Sequence, residues 1–271
     1  MRNTPLRLGY WKLSGDHAPE LGNYGDMLSP YIVERMSDRR CEHYDLKVKR
    51  KWWARRKHLT AIGSIMRHCE STSVVWGTGI ITREDQFPKA KFHAVRGPET
   101  LKRIRALGYP CPEVFGDPAL LLPLFYNPTV ERTHALGIIP HIVDYDAVCE
   151  LHVATDGVRT IQFLTDNLER TTREILSCER IISSSLHGII VAHAYGIPAT
   201  WVRFSESLAG DDVKFADYLG AVEIPAYSGP SLPLTCTLNE IASVTEGLPC
   251  LPSRGIIERL RDGLLASFPR V

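Results

Sequence analysis

The feature that most constrains the fold of this chain is an alternation of short apolar runs with helical segments, which occurs twice. In the first half, apolar runs predict strands at residues 6–11, 59–63, 73–77 and 92–95. Apolar positions at helical spacing predict one helix at residues 27–36 and another that starts at Pro98 and stops at Gly108. Strands that alternate with helices indicate an α/β domain with a mainly parallel sheet.

The alternation resumes after a break at residues 120–132, where Pro123, Asn127 and Pro128 are expected to interrupt any regular element. Beyond the break, strands are predicted at residues 135–139, 152–154, 180–184 and 199–202, and helices at 166–177 and 187–195. A chain of 271 residues exceeds the usual size of one domain. We therefore expect two α/β domains, residues 1–126 and 127–271, with a site at the carboxyl ends of the strands.

The composition narrows the classes of function. A net charge of only +1 argues against a nucleic-acid binder. The seven cysteines lie far apart and form no CxxC pair, a spacing that favours neither a disulfide framework nor a zinc site, and no metal is expected. No run has the length and apolarity of a signal peptide or of a membrane span, so the sequence predicts a cytoplasmic protein.

Seven short motifs follow one another along the chain. They are GNYGD at 22–26, VWGTGI at 75–80, AVRGP at 94–98, VFGDP at 114–118, IPH at 139–141, IISSSLHG at 181–188 with AYGIP at 194–198, and KFADY at 214–218. Their content and order resemble the polysaccharide pyruvyl transferase family, and most closely the bacterial exopolysaccharide ketal-pyruvate transferases of the xanthan and succinoglycan type.

The resemblance implies a fold and a reaction. The fold is a GT-B-like arrangement of two Rossmann-like domains, with the acceptor on the N-terminal side of a central cleft and the donor on the C-terminal side. The donor is phosphoenolpyruvate, used as a co-substrate without a further cofactor. The acceptor is a 4,6- or 3,4-diol on a sugar of a lipid-linked oligosaccharide or polysaccharide. The product is a cyclic pyruvate ketal, and phosphate is released.

One position departs from the pattern of many family members, in which an arginine directly precedes the Leu-His-Gly and helps to hold the donor. Here that position is Ser185, a change that the exopolysaccharide subgroup shares. Other cations must then meet the charge of the donor. The donor-binding residues implied by the motifs are Arg96, Ser185, Leu186, His187, Gly188 and Lys214.

Protonation of the methylene carbon of phosphoenolpyruvate requires a general acid, and His187 is the best candidate. It follows three serines at a strand-to-helix junction, where serines are expected to cap the helix and free backbone N–H groups favour an anion. A bound dianion would favour the protonated imidazole. The alternative is that His187 has only a structural role, with its hydrogen bonds satisfied at the start of the helix.

Two cations are candidates for the charges of the donor. Arg96 ends a strand and is expected to project into the cleft, where its guanidinium can grip a carboxylate or phosphate as part of the catalytic site. The alternative for Arg96 is a surface ion pair. Lys214 is a candidate for the same role, with a solvated lysine as an equal alternative.

The acceptor side is predicted from the N-terminal motif and from His141. Asn23 belongs to that motif, and Asp26 is interpreted either as a base for the acceptor hydroxyl or as a residue that opens the first helix. His141 can orient acceptor hydroxyls or take a proton, or it is a polar loop residue. Asp117 is interpreted as structural, holding the turn before the linker.

Residues 47–58 contain seven lysines and arginines around Trp52 and Trp53, without an acidic residue between Asp45 and Glu70. Indoles favour membrane interfaces, and cations favour anionic lipids. The segment therefore predicts peripheral contact with the inner face of a membrane, and a solvated face is the equal alternative.

Two other functions remain open. A GT-B nucleotide-sugar glycosyltransferase would need an acidic residue late in the second domain to hold a ribose, and Glu206 is the only nearby candidate. An inactive carbohydrate-binding subunit of a polysaccharide assembly complex is suggested by Ser185, whereas the presence of both His187 and Arg96 argues against it.

Overall fold

The computed structural model describes residues 4–13, 21–152, 156–205, 209–233 and 237–270. The strands in these ranges are β1 (Leu6–Gly9), β2 (Gly22–Asn23), β3 (Cys41–His43), β4 (His58–Thr60), β5 (Ser73–Trp76), β6 (Lys91–Ala94), β7 (Leu136–Ile139), β8 (Val158–Thr160), β9 (Leu164–Thr165), β10 (Ile181–Ser183) and β11 (Ala199–Trp201). The helices are α1 (Tyr24–Ser37), α2 (Pro98–Ala106), α3 (Leu122–Phe125), α4 (Tyr145–His152), α5 (Leu168–Leu176), α6 (Leu186–Ala194), α7 (Val213–Ala221), α8 (Leu238–Thr245) and α9 (Arg254–Ser267).

The strands form two parallel sheets and one small antiparallel pair. The first sheet has the order β3-β1-β4-β5-β6, and the second has the order β11-β10-β7-β8. The antiparallel pair joins β2, which precedes α1, to β9 in the second half of the chain. The prediction of an α/β chain with mainly parallel, Rossmann-like sheets is therefore confirmed.

The central strands are buried on both faces, as parallel sheets covered by helices require. All four residues of β5 and all four of β7 are buried. These strands read as continuous apolar runs rather than as alternating ones, which is why the sequence located them well.

The largest core cluster includes residues of both sheets, among them Leu8 and Trp76 from the first sheet and Ile181 from the second. The C-terminal helix α9 also packs on the first sheet. The indole Nε1 of Trp76 donates a hydrogen bond to the carbonyl oxygen of Leu264 at 3.0 Å, and the Phe268 ring packs edge-on against it. The division into domains at residues 126 and 127 stays a prediction.

Three local predictions were wrong. Residues 118–125 are not irregular, because Pro118–Leu121 forms a 3-10 turn that continues into α3, and prolines are tolerated in a first helical turn. His152 ends α4 rather than starting a strand, and residues 153 and 154 lie outside the described ranges. The helix predicted at residues 27–36 begins three residues earlier, at Tyr24.

No helix within the described part of the chain has both the length and the apolarity that crossing a bilayer requires.

Candidate active site

A cavity of about 560 Å³ lies where the carboxyl ends of strands from the two sheets meet. Its wall includes Trp11 after β1, Ser64 after β4 and His141 after β7. Asn23 and Asp26 line it from the start of α1. The structure thus brings all three predicted acceptor residues, Asn23, Asp26 and His141, to one cavity.

Asn23 and Asp26 take their places from the geometry of the first helical turn. Asn23 is the N-cap of α1, and its Oδ1 accepts a hydrogen bond from the N–H of Gly25 at 2.9 Å. Asp26 lies in the first turn, where a negative charge is favoured by the helix dipole. Burial nevertheless raises the pKa of Asp26 to about 7, although the charge of His187 acts to lower it. Near neutral pH this carboxyl can therefore both give and accept a proton.

His187 lies in the first turn of α6, with a side chain that is 13% exposed. Its imidazole packs directly against Gly25, the residue before Asp26. A Cβ atom on Gly25 would collide with the ring, and the nearest ring atom would be Nδ1. The glycine of the GNYGD motif is therefore needed so that α1 and the histidine can approach each other.

The other ring nitrogen of His187 faces Asp117. The distance from Nε2 to Oδ2 of Asp117 is 3.7 Å, and the Asp117 side chain is fully buried. Asp26, His187 and Asp117 come from three separate segments of the chain, and they place two carboxyl groups around one imidazole.

The serines before His187 do not cap α6 as the sequence predicted. Ser185 occupies the N-cap position, but its side chain makes no capping hydrogen bond. Ser183 donates instead to the carbonyl oxygen of Ile139 at 2.8 Å, and Ser184 accepts from the N–H of His141 at 2.8 Å. These hydrogen bonds connect β10 and the loop after it to the end of β7. The hydroxyls that make them are buried.

Leu186 and Gly188 present no side chain to the cavity. Leu186 is buried in the main core, and Gly188 lies so close to Ser183 that a Cβ atom would meet its hydroxyl. The N–H of Gly188 already donates to the carbonyl oxygen of Ser185 at 3.1 Å, so a donor molecule could use only the N–H of Leu186, in the first turn of α6.

The prediction that Arg96 projects into the cleft was wrong. Its side chain is fully buried, with Nε 2.9 Å from Oδ2 of Asp217. Its Nη1 donates to Ser64 at 2.6 Å, and its Nη2 donates to the carbonyl oxygen of Ile80 at 2.6 Å. Asp217 also accepts from the N–H and the hydroxyl of Thr100, at 2.8 and 2.6 Å. The guanidinium therefore joins α2, α7 and the loops after β4 and β5, and only Ser64 separates it from the cavity.

Lys214 is a different kind of cation. Among the described residues it has no hydrogen bond and no ion pair, and its ammonium lies 5.3 Å from the centre of the Phe215 ring. Burial, and then the charge of Arg96, lower the pKa of Lys214 to about 8. Burial and the charge of Lys214 in turn lower the pKa of His141 to about 4, so His141 is neutral at physiological pH. The carboxylate of Asp212 acts in the opposite direction on the pKa of Lys214 but makes no ion pair with it. A buried lysine without a hydrogen-bond or ion-pair partner among the described residues, close to two other basic groups, is suited to an anionic ligand.

The interpretation of Asp117 as the residue that holds its turn is confirmed, because its Oδ1 accepts from the N–H of Ala119. Sequence reasoning missed the contact of Asp117 with His187 and the roles of Asp217 and Ser64. Asp117 and Asp217 both lie in the quoted motifs, VFGDP and KFADY, and that was the available signal. Ser64 carries no motif, and only the folded chain shows its contact with Arg96. Glu206 lies outside the described residues. In the described ranges, no three His, Cys, Asp or Glu side chains are grouped so that they could hold a metal ion.

The fold and the site together define a Rossmann-like α/β protein with a proton-handling cluster beside a cavity at the ends of parallel strands. The sequence profile of the polysaccharide pyruvyl transferase family matches residues 23–206. An uncharacterized protein of Acanthamoeba polyphaga mimivirus is 35% identical over 215 residues, which cover 74% of this chain and 71% of that protein. The chain belongs to the polysaccharide pyruvyl transferase family. Lys214 and Asp217 lie beyond the residues that the profile matches.

Proposed function

We propose that the protein transfers the enolpyruvyl group of phosphoenolpyruvate to a sugar diol of an exopolysaccharide repeat unit. The observation that carries the proposal is a cluster of three side chains. Asp26 lines the cavity, His187 packs behind it against Gly25, and Asp117 faces the far side of the His187 ring. Ketal formation requires one proton to be delivered to carbon and two to be removed from hydroxyls, and this cluster holds an imidazole between two carboxyl groups.

The proposed reaction begins with transfer of a proton from His187 to the methylene carbon, which makes C2 of the donor electrophilic. The first sugar hydroxyl adds to C2 and gives up its proton to Asp26. Phosphate then leaves C2, and the second hydroxyl closes the ring. In the balance, one hydroxyl proton ends on the new methyl group and the other on the phosphate.

The donor is proposed to lie towards Lys214 and the start of α6. Lys214 supplies the positive charge that the absent arginine at position 185 would have given, and the backbone of Leu186 supplies an N–H donor in the first turn of α6. Asn23 and the neutral His141 are proposed to orient the acceptor hydroxyls. This assignment corresponds to a GT-B-like arrangement, with residues 1–126 on the acceptor side and residues 127–271 on the donor side.

The function is tested by incubating the purified protein with phosphoenolpyruvate and with oligosaccharide acceptors that carry a 4,6- or 3,4-diol. Inorganic phosphate should appear only when an acceptor is present, and the acceptor should gain the mass of a pyruvyl ketal. Acceptors methylated on one hydroxyl of the diol are the matched control and should give no ketal. Release of a nucleotide from a nucleotide sugar would support a glycosyltransferase instead, and acceptor binding without turnover would support a carbohydrate-binding subunit.

A second proposal concerns the location of the enzyme. Trp52 is 76% exposed, Trp53 is 58% exposed and Val48 is 48% exposed, on a segment without acidic residues. The exposed cations of the segment are Lys47, Lys49, Lys51, Arg56 and Lys57. Exposed indoles surrounded by positive charges match the chemistry of an anionic bilayer surface, where each cation contributes about 1 kcal/mol. Residues 47–58 are therefore proposed to hold the enzyme at the inner face of the membrane, next to a lipid-linked acceptor.

Co-sedimentation with vesicles tests this surface. The protein should bind vesicles that contain anionic phospholipid at low salt, and the binding should weaken as salt rises. The variant Trp52→Ser/Trp53→Ser should lose binding, and Lys49→Ser/Lys51→Ser should weaken it. The control Arg170→Ser/Arg173→Ser removes two exposed cations from α5, in the second half of the chain, and should bind normally. Equal binding by all the variants, or none by the wild type, would refute the membrane contact.

A further inference from the structure

Two polar atoms that face each other beside the cavity lack hydrogen-bond partners. Nε2 of His187 and Oδ2 of Asp117 are both buried, and neither makes a hydrogen bond with another described residue. A buried carboxylate oxygen without a donor costs free energy, and so does a buried imidazole nitrogen. The two atoms lie 3.7 Å apart.

The carboxylate of Asp117 is held in place by the 3-10 turn that follows it. Its Oδ1 accepts a hydrogen bond from the N–H of Ala119 at 3.0 Å, because Asp117 is the N-cap of that turn. Pro118 fixes the backbone beside it and packs against Gly77, whose φ of +98° favours glycine. Oδ2 therefore points to His187 from a rigid support.

Tyr218 is electrostatically close to Asp117. Burial raises the pKa of Tyr218 well above its usual value, and the negative charge of Asp117 raises it further. The groups that face the imidazole are Asp117 at one edge and Asp26 beyond Gly25 at the other. An imidazole between these groups needs a defined tautomer, since only one of its nitrogens can present a proton to a substrate when the ring is neutral.

We propose that Asp117 is the positioning residue of His187: it accepts a hydrogen bond from Nε2–H, so that Nδ1 is the nitrogen that takes up the reacting proton and, from the charged ring, delivers it. The contact shortens from 3.7 Å to hydrogen-bond length when substrate fills the cavity, as catalytic contacts often do. The identity of the reaction rests on the proposed function, whereas the tautomer of His187 does not.

The variant Asp117→Asn separates the positioning of His187 from the capping of the turn that follows Asp117. The asparagine oxygen can still accept from Ala119, and Asn and Asp are equally good caps. Its NH₂ group, however, donates to Nε2 instead of accepting from it, so the neutral ring should carry its proton on Nδ1. We expect ¹⁵N NMR of histidine-labelled protein to show Nε2–H in the wild type and Nδ1–H in Asp117→Asn. The His187 signals are identified as those absent from His187→Gln.

Kinetics provide the second measurement. We expect Asp117→Asn to lower kcat by about a hundredfold to ten-thousandfold while KM changes little, since the asparagine NH₂ group cannot accept Nε2–H and so does not support the charged ring that delivers a proton from Nδ1. In a His187→Gln background the same substitution should change kcat less than twofold, because residues that act as a unit are not additive. The variant Asp117→Ala removes the N-cap hydrogen bond as well. Its loss of thermal stability measures what that hydrogen bond contributes to the fold.

The outcomes are distinct. An unchanged His187 tautomer in Asp117→Asn would overturn the proposal, and so would an equal loss of kcat in the His187→Gln background. A wild-type protein that shows Nε2–H but no pyruvyl transfer would refute the proposed function and leave the contact intact. If Asp117→Asn does not fold, the wild-type tautomer still decides, since Nδ1–H there contradicts the proposal.

Discussion

Replacement of His187 by glutamine is expected to lower kcat for ketal formation by about a hundredfold to ten-thousandfold, the usual scale for the loss of a general acid. The side chain is 13% exposed beside the cavity, so glutamine can occupy the site without entering the core. Thermal stability should therefore stay close to that of the wild type. The measurement is the release of phosphate from phosphoenolpyruvate under saturating acceptor, together with a melting curve.

His193 provides the matched control, because it lies on the same helix and differs only in its surroundings. It is 2% exposed, and its Nδ1 and Nε2 lie 3.1 Å from the hydroxyl of Tyr218 and 3.0 Å from the carbonyl oxygen of Cys250. His193→Gln should destabilise the fold by about 1–3 kcal/mol and leave kcat of the folded protein unchanged. A His187→Gln enzyme with wild-type turnover would show that the acid is another group.

The largest loss of stability is expected from Arg96→Met. The substitution leaves the carboxylate of Asp217 buried without its charge partner, and breaking such a pair costs about 3–5 kcal/mol. Chemical denaturation should show a lower free energy of unfolding with an unchanged slope. The double variant Arg96→Met/Asp217→Leu should be more stable than Arg96→Met, although the N–H of Thr100 then loses its acceptor.

Lys214→Met is the control for this prediction, since Lys214 has a charge near Arg96 but no ion pair among the described residues. It should leave the free energy of unfolding nearly unchanged and raise KM for phosphoenolpyruvate. If Arg96→Met instead kept its stability and raised that KM, Arg96 would be a donor-binding residue, as the sequence alone predicted.

Much of the fold follows from local pattern. Strands such as β5 and β7 are buried along their whole length and consist mostly of apolar residues, and α2 is framed by Pro98 at its start and Gly108 after its end. The errors arose where tertiary contacts override local signals. The leucines after Pro118 form helical turns because they are buried in the core, and the prolines fit first turns.

The candidate site was only partly predictable for a similar reason. Asn23, Asp26, His141 and His187 lie directly after strands or in first helical turns, and such positions converge at one edge of a parallel sheet. The direction of a side chain depends on what it meets. Arg96 turned inwards because Asp217, more than a hundred positions later in the chain, lies beside it. The contact between Asp117 and His187 could not be predicted from the sequence, because it depends on where the fold places both residues.

The return of α9 to the first sheet has a consequence for the order in which the protein is made. Trp76 and Gly116 are covered by Leu264 and Phe268, and Leu264 lies 188 positions after Trp76 in the chain. Domains often fold as they leave the ribosome, N-terminal part first. Here the apolar surface around Trp76 stays uncovered until α9 has been made. The nascent first half is therefore a partner for chaperones, and loss of the last helix would expose that surface permanently.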